Sequence, residues 1–275
     1  MTERMGLLSV NGGRARFTPR TLRAELRPAA RRLAAVAVGF AGGWAVLYGA
    51  LMPFGLGFVL GFAEDCFAPC AAGAALGVLL HSFGALSLRS ICLLCALGAA
   101  VAVRWMGAKK LAVTALAGCG TLVGVVLCFA LGGNGGAELV FYSAADALLA
   151  AAMGLCLRRF APEQPGAGML LVGAAAAAAL GSVQLWKLWP GVAVCAALEL
   201  YLCCKGQAKA ALAACAVLGA ALCGADPALA PAAAGLSCAT AAAAVLAPGQ
   251  RIETVAAYAG GCVTGALCVQ PPGNA

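Results

Sequence analysis

The sequence predicts an all-α, polytopic integral membrane bundle of about ten transmembrane helices with both termini cytoplasmic. Three observations point there. From Leu33 to Leu246 the chain is a train of apolar runs, with Lys and Arg held to short gaps. The runs are apolar all round, whereas a helix on a water-soluble core keeps a polar face. With 63% hydrophobic and 10% charged residues and a mean hydropathy of +0.96, the composition also lies far from the roughly 25% charge of soluble domains.

Residues 1–32 read as a basic cytoplasmic arm. Arg4, Arg14, Arg16, Arg20, Arg23, Arg27, Arg31 and Arg32 all precede Leu33. The arm resembles the n-region of a signal peptide, but the apolar run after it is too long and others follow, so no cleavage is expected. The formal charge of +8 does not read as nucleic-acid binding, because the cations sit in the arm and in interhelical gaps, where they orient a membrane protein. In the arm they are expected to meet anionic headgroups, at roughly 1 kcal/mol each.

Residues 33–247 form the transmembrane domain. About 20 apolar residues cross a hydrocarbon core of roughly 30 Å, and division at charged, Gly-rich and Pro-containing gaps gives ten runs. These are Leu33–Leu51, Met52–Ala63, Cys66–Phe83, Leu86–Val103, Leu111–Leu131, Ala137–Leu157, Gly168–Val183, Leu188–Cys204, Ala208–Cys223 and Ala228–Ala247. The second is short and suits a re-entrant or tucked segment, yet parity favours a crossing. With ten crossings the gaps holding Arg104, Lys109, Lys110, Arg158, Arg159, Lys205, Lys209 and Arg251 share the side of the basic arm, and only Arg89 and Lys187 oppose them. That is the positive-inside pattern.

Residues 248–275 form an apolar tail. Glu253 and three glycines within 252–269 argue against an eleventh crossing, so the tail is read as an interfacial helix or a linker.

Gly39 with Gly43, Gly57 with Gly61, Gly73 with Gly77 and Gly120 with Gly124 stand at small-x-x-x-small spacing, which lets helices approach closely in lipid. They are read as packing positions. Pro53, Pro190 and Pro231 stand at the starts of runs, where a missing amide is tolerated. Trp186 and Trp189 around Lys187, and Trp105 with Tyr142, read as headgroup-level anchors.

The 15 cysteines lie almost entirely inside apolar runs and act there as small apolar residues. Cys92 and Cys95 make a C-x-x-C inside a span, with no second pair to form a zinc site. An ionisable group at membrane depth costs roughly 2.5 to 3.5 kcal/mol and is a functional candidate by default. Asp146, in Y-S-A-A-D-A-L-L-A, and Glu199 are the strongest, followed by Glu64 and Asp65. If both inner carboxylates face the interior they form a proton or cation site. The plainer reading pairs Asp146 with a hydroxyl such as Ser143 and lets Glu199 snorkel towards Lys205. His81, the one histidine, reads as an interface residue. No nucleotide-binding or hydrolytic motif occurs, so no catalytic residue, cofactor or metal is expected.

The segment order, L-M-P-F-G-L-G-F at Leu51 to Phe58 and V-L-A-P-G-Q-R at Val245 to Arg251 together resemble the N-terminal membrane region of stage II sporulation protein E, over about Leu33 to Arg251. The resemblance implies ten spans that anchor a cytoplasmic linker and a manganese-dependent PP2C-type serine phosphatase at the asymmetric septum of endospore-forming bacteria. In that family the phosphatase acts on an anti-anti-sigma factor, and the protein meets tubulin-like division machinery. Asp146 falls where the family's sixth span can also carry a carboxylate, so the resemblance implies a structural or contact position. The chain stops at Ala275, before any phosphatase residue of the family, so the resemblance carries anchoring, septal placement and self-association but not catalysis. The expectation is a non-catalytic anchor in the cell membrane. A small secondary transporter or substrate-binding subunit using Asp146 and Glu199 is the alternative.

Overall fold

A computed structural model describes residues 19–83, 87–132, 136–159, 165–183, 189–246 and 251–269. Trp186, Lys187 and the first eighteen residues of the basic arm lie outside them. The described residues form α1 (Pro19–Trp44), α2 (Pro53–Gly61), α3 (Phe67–His81), α4 (Leu88–Trp105), α5 (Leu111–Leu131), α6 (Ala137–Arg159), α7 (Pro165–Gly181), α8 (Pro190–Cys204), α9 (Ala208–Ala225), α10 (Ala230–Leu246) and α11 (Arg251–Val269). A 3-10 turn at Pro227–Leu229 leads into α10. There is no strand among the described residues, only an isolated bridge between Leu47 and Leu51.

Among the described residues, five helices are long and apolar enough to cross a membrane: α4, α5, α6, α9 and the Pro227–Leu246 segment containing α10. Three more apolar helices are shorter, α3, α8 and the Gly168–Gly181 part of α7. The outer faces of α5 and α6 carry exposed Leu116, Phe141, Leu148 and Leu155, as a lipid-facing surface does.

Two boundaries depart from the sequence reading. The first helix starts at Pro19, inside the expected arm, because Arg, Ala and Leu favour helix. It stops at Trp44 rather than Leu51, since Tyr48 and Gly49 adopt positive φ of 52° and 68° and turn the chain back through the Leu47–Leu51 bridge. The tail departs further. Its helix α11 packs lengthwise on α10, with Gly261 against the backbone of Ala239 and Gly265 against Gly235.

The glycines show how the helices run. A Cβ on Gly39 would collide with the Cys70 carbonyl, and one on Gly43 with that of Ala74; Gly73 and Gly77 abut Val36 and Phe40 in return. The two residue series rise together, so α1 and α3 are parallel. The chain must therefore return between them, and α2 makes that return. Gly57 meets Met153 and Gly61 meets Leu157, so α2 runs parallel to α6. In the second half, Gly173 and Gly181 of α7 meet Leu218 and Ala225 of α9 in parallel, while Gly191 of α8 abuts Ala177 and Gly181. Odd-numbered helices thus run one way and even-numbered helices the other. Every described Lys and Arg except Arg89 consequently lies at one end of the bundle.

Of the eight glycines read as packing positions, Gly120 and Gly124 depart. No atom lies within 4 Å of a Cβ built on either, because α5 is an outer helix that turns these residues outward.

Candidate functional site

The centre of the first half is α2. Its nine residues rise about 13 Å, under half of a roughly 30 Å hydrocarbon core. Pro53 to Leu60 are all buried. A buried short helix is a problem of termini, because its first N–H and last C=O groups have no partner within the helix. Their burial keeps water from them, and a buried polar group left without a partner costs about 1 to 3 kcal/mol.

Two charged side chains answer this. At the N-terminus, the Met52 N–H donates to Asp146 Oδ1 of α6 at 2.7 Å. Pro53 follows in the first turn, where it has no N–H to satisfy. At the C-terminus, Arg104 of α4 donates from Nη1 to the Val59 carbonyl at 2.8 Å and from Nη2 to the Phe62 carbonyl. A carboxylate thus stands at the positive end of the helix and a guanidinium at the negative end, the favourable sense for the helix dipole. Arg104 also lies 4.7 Å over the ring of Phe67.

Asp146 is 1% exposed and forms an ion pair with Arg89. Arg89 itself sits 5.5 Å over the ring of Tyr142. The carboxylate therefore has a cation on one oxygen and a backbone amide on the other. Ser143, the hydroxyl proposed as its partner, is buried one turn earlier and has no hydrogen bond among the described residues. α4 thus supplies a cation at each of its ends, one to close α2 directly and one to neutralise the residue that caps it.

The second carboxylate occupies a different cluster. Glu199 of α8 is 1% exposed and accepts from Thr240 Oγ1 of α10 at 2.6 Å and from Tyr258 Oη of α11 at 3.2 Å. It ties three helices together and does not snorkel towards Lys205. No cation pairs with it among the described residues. Asp146 and Glu199 both face the interior, and among the described residues they share no partner.

Comparisons with protein-family models, with curated proteins and with solved structures found no match. The chemistry must be read from the arrangement itself.

Glu64 and Asp65 are exposed in the turn between α2 and α3. Glu64 stands at the mouth of a cleft of about 980 Å³ with Arg104, Lys109 and Arg158. Cys92 is buried and Cys95 exposed, and both are free thiols. Among the described residues no group of three His, Cys, Asp or Glu is placed to hold a metal ion. His81 packs edge-on against Trp44, ring centres 5.8 Å apart. Trp105 is 78% exposed at the basic end, whereas Tyr142 lies under Arg89 at the other.

Sequence reasoning missed Arg104, Arg89, Thr240 and Tyr258. Arg104 was legible only as an orienting charge, because its partners are carbonyls 42 and 45 residues away. The one available signal was Pro53, which marks a helix start inside a run too short to cross unaided.

Proposed function

We propose that the chain is a non-catalytic membrane anchor and self-association module, oriented with its basic end in the cytoplasm. What supports this reading most is the use of Asp146, Arg89 and Arg104. The charged groups at depth in the first half are spent on closing α2 and on each other, as in a rigid scaffold. A transport pathway would instead need groups open to a solute. The alternating directions support ten crossings by the first ten helices, and the gathering of Lys and Arg at one end supports the cytoplasmic assignment under the positive-inside rule.

The likeness to the membrane region of stage II sporulation protein E makes the sporulation septum the proposed location, with tubulin-like division proteins as candidate partners. A fluorescent fusion followed through sporulation tests it. A septal focus is expected, and uniform peripheral fluorescence throughout would overturn the placement.

A second reading has one observation in its favour. Glu199 is a buried carboxyl held by two hydroxyls and, among the described residues, by no cation, which is the setting of a proton or cation relay. A transporter predicts that Glu199→Gln abolishes uptake of some solute, whereas unchanged uptake across a solute panel removes that reading.

A further inference from the structure

We infer that the cleft between α6 and α7 at the basic end binds one anionic phospholipid, its phosphate between Lys109 and Arg158 and an acyl chain along α7. The inference rests on the reading of the chain as membrane-embedded.

The cleft exists because α6 and α7, neighbours in sequence, barely touch, while α7 is held by α1, α8 and α9. Its mouth and its walls differ in chemistry. Among the described residues, Arg104, Lys109 and Arg158 stand at the mouth with the carboxylate of Glu64, three cations to one anion. Arg104 is committed to the Val59 and Phe62 carbonyls, so it contributes field rather than contact. Arg158 donates from Nη1 to the Lys109 carbonyl at 3.1 Å, which holds the guanidinium beside the lysine. Below the mouth the walls are Leu157, Met169, Val172, Ala176 and Leu198.

Gly168 and Ala176 of α7 both line the cleft, and eight residues of helix rise about 12 Å, close to the roughly 15 Å of hydrocarbon in one leaflet. The volume lies at the upper end of the roughly 300 to 1,000 Å³ of small-molecule sites. An apolar slot of leaflet depth in a bilayer is filled by lipid, and cations at its mouth select the sign of the headgroup. A soluble anion would leave the apolar walls unused, and a neutral lipid would bring no net negative charge to the cations at the mouth.

The test uses the purified full chain in detergent, offered phosphatidylglycerol or phosphatidylcholine of the same acyl chains, with retained lipid counted by native mass spectrometry. One phosphatidylglycerol is expected to remain, preferred by about tenfold or more, since two cations near a headgroup contribute roughly 1 kcal/mol each. Lys109→Gln with Arg158→Gln is expected to erase the preference, and Val172→Trp, which fills the slot, to lose both lipids. Equal retention of the two lipids by the unaltered chain, or an undiminished preference in the double variant, overturns the inference. Should the double variant fail to fold, the unaltered chain is read in high salt, where the preference must collapse; persistence there overturns it equally. Failure of the chain to stay with membranes through an alkaline wash would instead overturn the membrane reading. Retention in membranes without headgroup preference sinks the lipid site alone.

Discussion

Asp146 shows how one residue serves local structure and electrostatics together. Its carboxylate caps the buried N-terminus of α2 through the Met52 amide and neutralises Arg89. Asp146→Asn keeps an acceptor for the amide but leaves Arg89 without a counter-charge, and breaking a buried pair from one side costs about 3 to 5 kcal/mol. Thermal unfolding in detergent should show that loss, and Arg89→Met combined with Asp146→Leu should recover part of it. Equal destabilisation by the single and double variants would remove the pair from the account. Arg104→Leu strips the Val59 and Phe62 carbonyls of their donors, at about 1 to 3 kcal/mol for each unmet group. Glu199→Gln retains an acceptor for Thr240 and Tyr258 and should be mild in stability, whereas Glu199→Leu removes the acceptor that both hydroxyls share and should not.

At the scale of elements, the parallel pair α1 and α3 depends on glycine because carbonyl oxygens of one helix occupy the space a Cβ would take on the other. Gly43→Ala must push the helices apart, with an expected loss of about 1 to 3 kcal/mol. Gly124→Ala on the open face of α5 meets nothing within 4 Å and should be neutral or stabilising by up to about 1 kcal/mol through helix propensity. A comparison of the two melting temperatures checks both, and a matched loss would refute the asymmetry. The contrast matters because both glycines belong to the same sequence pattern. Only the partner helix distinguishes them.

At the scale of the molecule, the alternating directions turn a run of apolar helices into two chemically different ends. One end collects Arg31, Arg32, Lys109, Lys110, Arg158, Arg159, Lys205, Lys209 and Arg251; the other holds Arg89 alone among the described cations. Alkaline phosphatase fused after Lys110 or Gly206 should be inactive, and after Gly136 active. The reverse pattern would invert the orientation, and activity at all three would break the alternation. A fusion after Val269 is the informative one. Because α11 lies antiparallel along α10, that fusion should be active, whereas the ten-span topology with a cytoplasmic C-terminus expects it silent.

By itself the sequence determined the helical class, the approximate places of the apolar runs and the side bias of the charges. These depend on transfer from water to lipid, which is a sum over local composition; the helix at Leu111–Leu131 begins and ends on the residues the sequence proposed. It also marked Asp146 and Glu199 as exceptional, since a carboxylate at membrane depth is costly wherever its partner lies. Only the tertiary structure decided what those residues do. That Asp146 meets Arg89, 57 residues away, that Arg104 closes the far end of the same short helix, and that Glu199 joins three helices depend on which helices are neighbours. It likewise decided that α11 belongs to the bundle and that Gly120 and Gly124 face outward. Helix adjacency in lipid is set by small-residue packing and polar pairing between distant segments, and in a chain so rich in Ala and Gly no single stretch encodes it.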